Sequence, residues 1–414
     1  MSSALPPGFY RLMLAQFCSA IADNALLIVA IAQLATQGLP PWWAPLLKFC
    51  FTLSYVVFAP WLGALADAGA KSRLMFWMNT LKMLGAALLL GSLHPLLAFA
   101  VVGLGAAAYA PAKYGLVTEM VPAERLVEAN AWIEVSVVCA VLLGTALGGW
   151  FVSPWFGRLA AAGVVREALA LAAPQLGVLG LPLLAVLGLY ALAGLLNLGV
   201  PDSGRRYAAS WHSPWPMLRV FAADNRRLWR DRAGGLSLAV TTLFWGVGAT
   251  LQFIVLRWAQ QSLGLGLDQA AYMQGVVALG VIAGAALAGR WVGLAMVPRV
   301  LPIGVAMGLL VPWMATVDTL VPAVGLLCLI GALAGLFVVP MNALLQHRGC
   351  SLLTAGRSIA VQGFNENLSV LLMLGGYTAL AALDLPIDVL LLGLGLGIAG
   401  GIGGLMWRER RLAA

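Results

Sequence analysis

Phe17-Cys18-Ser19-Ala20-Ile21-Ala22-Asp23-Asn24-Ala25-Leu26-Leu27-Ile28-Val29 lies in the middle of an apolar run that begins near Arg11. A helical rise of 1.5 Å per residue carries Asp23 about 18 Å from Arg11. A hydrocarbon core is about 30 Å thick, so that depth is close to its middle. A carboxylate there costs on the order of 3 kcal/mol unless it faces a polar interior, which makes it a functional candidate. The structural alternative is an Asp bonded to a neighbouring helix.

The surrounding chain has the same character. Its 414 residues are 62% hydrophobic and 10% charged, against about 25% charged in a soluble domain. Apolar stretches of about 20 residues alternate with short basic loops, which predicts a polytopic helical membrane protein. The period-2 alternation of an outer-membrane barrel is absent. Met1 to Gly8 does not read as a cleavable leader. The five cysteines are scattered singly, which fits neither a disulfide framework nor a metal site. The three histidines have no ligand spacing, and no phosphate-binding G-x-x-x-x-G-K-[ST] loop is present. Basic residues track the loops rather than a folded face, so nucleic acid is not an expected partner.

The pattern predicts an all-α integral membrane fold of twelve transmembrane helices. Six run near 10–36, 43–67, 73–92, 95–119, 125–152 and 176–200. Six more run near 235–262, 268–290, 298–317, 320–346, 354–383 and 386–407. Residues 1–200 and 235–414 form two bundles, joined by a basic loop, 201–234. The loop carries Arg205, Arg206, Arg219, Arg226, Arg227, Arg230 and Arg232. Placing it in the cytoplasm puts 18 of the 24 Lys and Arg residues on that side, so both termini are expected there. Trp42, Trp43, Trp155 and Trp258 then fall at the outer interface and Trp407 at the inner one. The connection 153–175 reads either as an amphipathic surface helix or as a loop.

The halves echo each other. Asn130, Trp132 and Glu134 align with Gln362, Phe364 and Glu366 at an offset of 232, and Pro111 with Pro340 at 229. Duplicated six-helix halves are what a secondary transporter with a central site shows.

Polar residues form stripes on these helices. Gln16, Ser19 and Asp23 share one face of the first. Gln362, Glu366 and Ser369 share a face of the eleventh, with Asn365 and Asn367 beside them. Thr241, Trp245, Gly248 and Gln252 lie on the seventh, Asn130 and Glu134 on the fifth, and Tyr109 and Lys113 on the fourth. The stripes are expected to converge on a polar cavity between the halves. Each has a plainer reading. Glu134 and Glu366 are equally read as helix latches, and Lys113 as snorkelling to the interface. Asn79 and Lys82 are expected to be structural, on a helix facing outward. Arg257 is read as snorkelling to the outer surface, and Gly393 to Gly404 as close helix packing.

The loop Gly63-Ala64-Leu65-Ala66-Asp67-Ala68-Gly69-Ala70-Lys71-Ser72-Arg73 resembles, in degenerate form, the G-x-L-x-D loop of the major facilitator superfamily. That resemblance implies an interdomain latch of Asp67, Lys71 and Arg73, with Glu134 as a further candidate. Ala22-Asp23-Asn24-Ala25-Leu26-Leu27 and Ala110-Pro111-Ala112-Lys113-Tyr114-Gly115 are similar to stretches of the LplT lysophospholipid transporter family within that superfamily. Leu243-Phe244-Trp245-Gly246, Val339-Pro340-Met341-Asn342 and Glu366-Asn367 carry the same resemblance, which covers nearly the whole chain.

It implies a non-enzymatic flippase of the bacterial inner membrane. Such a carrier moves lysophosphatidylethanolamine and lysophosphatidylglycerol from the outer to the inner leaflet, needs no cofactor, and hands them to an acyl-ACP synthetase/acyltransferase, expected as a separate protein. The implied substrate-binding set is Asp23, Asn24, Tyr109, Lys113, Gln252, Asn365, Glu366 and Asn367. Asp23 and Glu366 would attract the ammonium, and Lys113, Gln252 and Asn367 would face the phosphate. At Gln252 the chain departs from the family pattern, which more often has Arg; Arg257 lies about 140° further around the helix and does not replace it. The alternative functions are a proton-coupled exporter of amphiphilic drugs and an integral membrane enzyme. Against the enzyme, no nucleophile–His pair or metal cluster is legible.

Overall fold

The structure is a computed structural model. It describes residues 5–39, 43–90, 94–153, 155, 156, 158, 179–207, 214–381, 383 and 385–413. The connection expected at 153–175 and Trp42 fall largely outside these residues. Among those described there are fourteen α-helices and no strand: α1 (Pro7–Thr36), α2 (Trp43–Val57), α3 (Ala59–Ala68), α4 (Lys71–Leu90), α5 (Pro95–Met120), α6 (Leu126–Phe151), α7 (Gly180–Leu198), α8 (Pro214–Arg230), α9 (Arg232–Ser262), α10 (Leu267–Trp291), α11 (Leu301–Leu310), α12 (Leu320–Leu352), α13 (Ala355–Ala381) and α14 (Ile387–Ala413).

Nine spans among the described residues are long and apolar enough to cross a membrane, with mean hydropathy from 1.6 to 2.5. A tenth is the pair α2 and α3, bent by 66° where they meet. Pro60 sits in the first turn of α3, and a proline inside a continuous helix would remove one backbone bond and clash with the preceding turn. The helix breaks there instead. Two further helices, α4 and α13, have 20 and 27 residues, which is spanning length. They are less apolar than the others because they carry Asn79 and Lys82, and Gln362, Asn365, Glu366 and Asn367. With α11 extended by a 3-10 turn at each end over Leu294–Thr316, the twelve expected passages are all represented. This is a multi-pass membrane protein.

The chain divides into two units. The first holds Met1–Met120, Cys139–Ala222 and Leu353–Gly363; the second holds Val121–Val138, Ala223–Leu352 and Phe364–Ala414. The core of the first is built on Leu26, Val29, Leu89, Phe99, Leu183 and Tyr190. That of the second is built on Trp258, Val311, Met314, Leu327, Phe337 and Leu391. Lipid is as apolar as these side chains, so burial alone cannot drive the helices together, and close backbone approach matters more. In the second unit α10 and α12 meet glycine on glycine. A Cβ on Gly280 or Gly284 would run into the α12 backbone at Cys328 or Ala332, and one on Gly331 or Gly335 into the α10 backbone at Val277 or Val281. The close packing expected of Gly393 to Gly404 is found only at Gly395, against Pro312 and Gly308, and more loosely at Gly401. Gly393, Gly397, Gly400, Gly403 and Gly404 face open space.

The 201–234 loop contains a helix, α8, that its arginines had concealed. A single residue, Asp231, joins it to α9. Asp231 caps α9, accepting from the Gly234 N–H at 2.8 Å, and takes both arms of Arg348 at 3.0 and 2.8 Å. The Arg348 hydrogen bond holds the Asp231 carboxyl below its usual range, against a smaller opposing effect of burial. A depressed carboxylate stabilises the fold above its unfolded pKa, and that contribution is lost as pH falls through the folded value. Asp231→Ala should therefore cost about 1 kcal/mol at neutral pH, most of it the lost cap. Thermal unfolding in detergent should show the gap between wild type and variant closing as the pH is taken below 4.

Candidate functional site

The first unit contains the polar groups on which the sequence reading began. Asp23 sits 16 residues after Pro7 and 13 before Thr36, and it is not alone. Lys82 Nζ lies 2.7 Å from its Oδ2, and the Tyr190 hydroxyl donates to Oδ1 at 2.7 Å. Lys82 also donates to Ser19 Oγ at 3.1 Å, and Ser19 donates to Asn79 Oδ1 at 2.7 Å. The lysine ammonium hangs over the rings of Tyr109 and Tyr190, at 5.3 and 5.9 Å from their centroids. Five residues from α1, α4 and α7 thus form one hydrogen-bonded cluster, walled by two aromatic faces.

Two features of the sequence allow it. Asn79 and Lys82 stand i, i+3 on α4 and so share the face that meets Ser19 and Asp23. Gly105 lets α5 press against that face, since a Cβ there would sit 2.8 Å from Lys82 Cγ and 2.9 Å from the Met78 carbonyl. The expectation that Asn79 and Lys82 face outward is corrected: both are fully interior, at 0% and 2% exposure. A lysine well inside a span was the available signal, because an unpaired one would be costly.

The polar groups continue along α1. Lys113 Nζ donates to Gln16 Oε1 at 3.1 Å and lies 4.1 Å from the Tyr114 ring centroid. It is buried, so it does not snorkel. Tyr109 donates to Asn197 Oδ1 at 3.3 Å, and Asn197 is entirely buried. Asn24, one residue from Asp23, turns its amide back to the Ala20 carbonyl at 2.8 Å. Within the Asp23–Lys82 pair the exposures differ: the Lys82 side chain retains 3% and that of Asp23 20%. The carboxylate is therefore the member that a ligand can reach.

Also in the first unit, Asp67 accepts from the Thr354 hydroxyl and from the backbone N–H groups of Gly356, at 2.8 Å, and Arg357, at 3.2 Å. It satisfies orphan donors at the positive end of α13. Gly63 and Gly356 make room for this, each leaving no space for a Cβ against the other segment's backbone. Lys71 pairs with Glu119 at 2.8 Å, both side chains fully buried. The contact is too oblique for a hydrogen bond, leaving the lysine nitrogen without one, so the attraction is Coulombic. Arg73 is exposed.

In the second unit, Asn365 is engaged by α8. Trp229 Nε1 donates to its Oδ1 at 3.1 Å, and its Nδ2 donates to Asn225 Oδ1 at 3.0 Å. Glu366 and Asn367 are half-buried on α13, and Gln252 is exposed on α9. Asn130 and Gln346 exchange amide bonds at 3.0 and 2.9 Å, with buried Glu134 one turn along α6. Arg257 donates to the Leu385 carbonyl at 3.2 Å, so it is tied to the segment before α14. The Asn130–Gln346 pair had no sequence signal beyond the presence of an amide on each helix.

Comparison with known proteins agrees with this architecture. The family model described as Major Facilitator Superfamily matches residues 12–374. The lysophospholipid transporter LplT of Citrobacter koseri is 39% identical over 409 residues, covering 98% of this chain and 96% of that protein. The protein of the same name from Enterobacter sp. strain 638 is 39% identical over 408 residues, with the same coverage. Among solved structures, a bacterial homologue of the iron transporter ferroportin in the outward-facing state aligns with a TM-score of 0.73 at 15% identity, over 97% of this chain and 99% of that one. FucP in the outward conformation aligns at 0.69 and 17%, over 96% and 97%. These two show the fold alone. By the family model and by full-length identity, the chain belongs to the major facilitator superfamily and, within it, to the LplT family.

Proposed function

We propose that this protein carries lysophospholipids, chiefly lysophosphatidylethanolamine and lysophosphatidylglycerol, from the outer to the inner leaflet of the bacterial inner membrane. The observation that carries the substrate class is the 39% identity over 98% of the chain to relatives named for that activity. The buried polar groups of the first unit support it, because a charged headgroup needs a path that the surrounding apolar helices would otherwise refuse. In this reading Asp23, the reachable half of its ion pair, receives the ammonium, and Lys113, held by Gln16, receives the phosphate. Gln252, Glu366 and Asn367 are assigned headgroup ligands in the second unit on the sequence alone. Asp67, Lys71, Arg73 and Glu134 are assigned to holding the transporter's conformations. The proposed domains remain 1–200 and 235–414, joined by 201–234, with both termini in the cytoplasm on the strength of the arginine bias. The partner that re-acylates the product is a separately encoded acyl-ACP synthetase/acyltransferase.

The test is uptake of labelled lysophosphatidylethanolamine by cells that lack their own carrier and express this one. Uptake should appear with the protein, and Lys113→Gln should reduce it on the order of tenfold or more, the worth of a charged hydrogen bond, at unchanged protein level. No gain of uptake, with export of amphiphilic drugs instead, would overturn the reading.

A further inference from the structure

The α8 helix presents an exposed face apart from the residues assigned to the substrate. Trp215, Leu218, Arg219, Ala222, Arg226 and Arg230 recur at i, i+3, i+4, i+7, i+11 and i+15, so they line one side of the helix, and all six are exposed. Met217, Asp224 and Leu228 lie on the opposite side and are buried. Arg227 adds a fourth exposed cation, and the helix's one acid, Asp224, is turned inward. Arg219 rests 5.7 Å above the Trp215 ring. The helix is also placed at a membrane boundary. Only Asp231 separates it from the span that opens at Arg232, and Leu228 Cδ1 lies where a Cβ on Gly234 would be 2.8 Å away. The glycine thus lets the end of α8 dock against the first turn of that span.

We infer that this face binds the headgroups of anionic diacyl phospholipids in the adjacent leaflet. Charge complementarity identifies the occupant. Arginine suits phosphate recognition because its planar fork donates two parallel hydrogen bonds. An exposed tryptophan beside it fits the level of the headgroups, where aromatic rings are enriched. A basic amphipathic helix beside a span is the arrangement that lies in the interface rather than in water. The lipid is a bound ligand and not cargo, and the assignment is independent of the transport reading.

Full-length protein in a non-ionic detergent is titrated with dioleoyl phosphatidylglycerol and, separately, with dioleoyl phosphatidylcholine. Phosphatidylglycerol should bind more tightly, and the preference should shrink as salt is raised and the charges are screened. Arg219→Gln, Arg226→Gln and Arg230→Gln together should weaken phosphatidylglycerol by roughly fivefold for each arginine, leaving phosphatidylcholine unchanged. The triple lysine variant should keep most of the preference. If the triple glutamine variant does not fold, Arg219→Gln alone and the wild-type salt series serve in its place. Equal affinity for the two lipids, or a preference that survives the glutamine substitutions, would overturn the assignment. So would displacement by lysophosphatidylethanolamine, which would move the signal to the transport site. Displacement by soluble polyglutamate at matched charge would assign the face to an acidic protein instead.

Discussion

Asp23→Ala is expected to abolish lysolipid uptake and also to lower the amount of folded protein, and the second effect should be reversible by a second substitution. The Asp23–Lys82 contact is a buried ion pair with three further hydrogen bonds around it: Tyr190 to Asp23, Lys82 to Ser19, and Ser19 to Asn79. Removing one partner leaves the other charge buried and uncompensated, at a cost of about 3–5 kcal/mol. Lys82 would be the stranded group, and at 3% side-chain exposure it has no route to water. Replacing both by alanine removes the stranded charge, so the folded yield of Asp23→Ala/Lys82→Ala should recover most of the loss.

Transport separates two roles for the carboxylate. If Asp23 contacts the headgroup, the double variant folds and remains inactive. If it only neutralises Lys82, the double variant transports. Inactivity in the folded double variant is the expected result, measured as labelled lysophosphatidylethanolamine uptake per unit of monodisperse protein on size-exclusion chromatography. Recovered uptake would remove Asp23 from the site and leave it a structural counter-ion. Lys82→Ala alone should be the less damaging single change, because Asp23 keeps the Tyr190 hydroxyl and 20% of its own surface.

The second large effect is expected far from these charges. Gly284→Leu should prevent assembly of the second unit, and Gly284→Ala should already destabilise it clearly. A Cβ at Gly284 would overlap the Ala332 carbonyl group and lie 2.8 Å from the Leu336 nitrogen, and these are backbone atoms that cannot swing aside. Overpacking a well-fitted contact costs about 1–3 kcal/mol even where neighbours can move, and here α10 and α12 would have to separate. Gly397→Ala is the matched control: it also lies in a membrane helix, but nothing lies within 4 Å of its added carbon. A thermal-unfolding midpoint lowered by several degrees for Gly284→Ala and unchanged for Gly397→Ala is the expected pattern. Equal midpoints would show that the two helices can part at no cost.

The two cases differ in how they could be read beforehand. Asp23 was legible because the bilayer makes a buried carboxylate expensive, and that expense is visible in one dimension. Its partner was not, because pairing depends on which face of α4 turns toward α1. Helix order along the chain carries no information about that rotation. Lys82 lies in an apolar run just as Asp23 does, and the same cost argument applies to it; reasoning from the usual place of the third helix set it aside. The glycines misled in the other direction. The dense run from Gly393 to Gly404 drew attention by composition, yet within it Gly395 alone abuts opposing backbone, and the closest approaches to backbone are at Gly280, Gly284, Gly331 and Gly335. What makes a glycine necessary is the backbone opposite it. The α8 helix was missed because two buried apolar residues, Met217 and Leu228, do not stand out among four arginines in a polar loop.

By itself the sequence determined the membrane-spanning helices, the superfamily and family, and the acid at the centre of the first helix. Each of these rests on local cost or on pattern along the chain. Only the tertiary structure decided that Lys82, Ser19, Asn79 and Tyr190 surround the acid, that Lys113 turns inward to Gln16, and that Asp67 caps the start of α13. Those pairings depend on the rotation and close approach of helices far apart in sequence, which apolar lipid leaves to be settled by packing and hydrogen bonding.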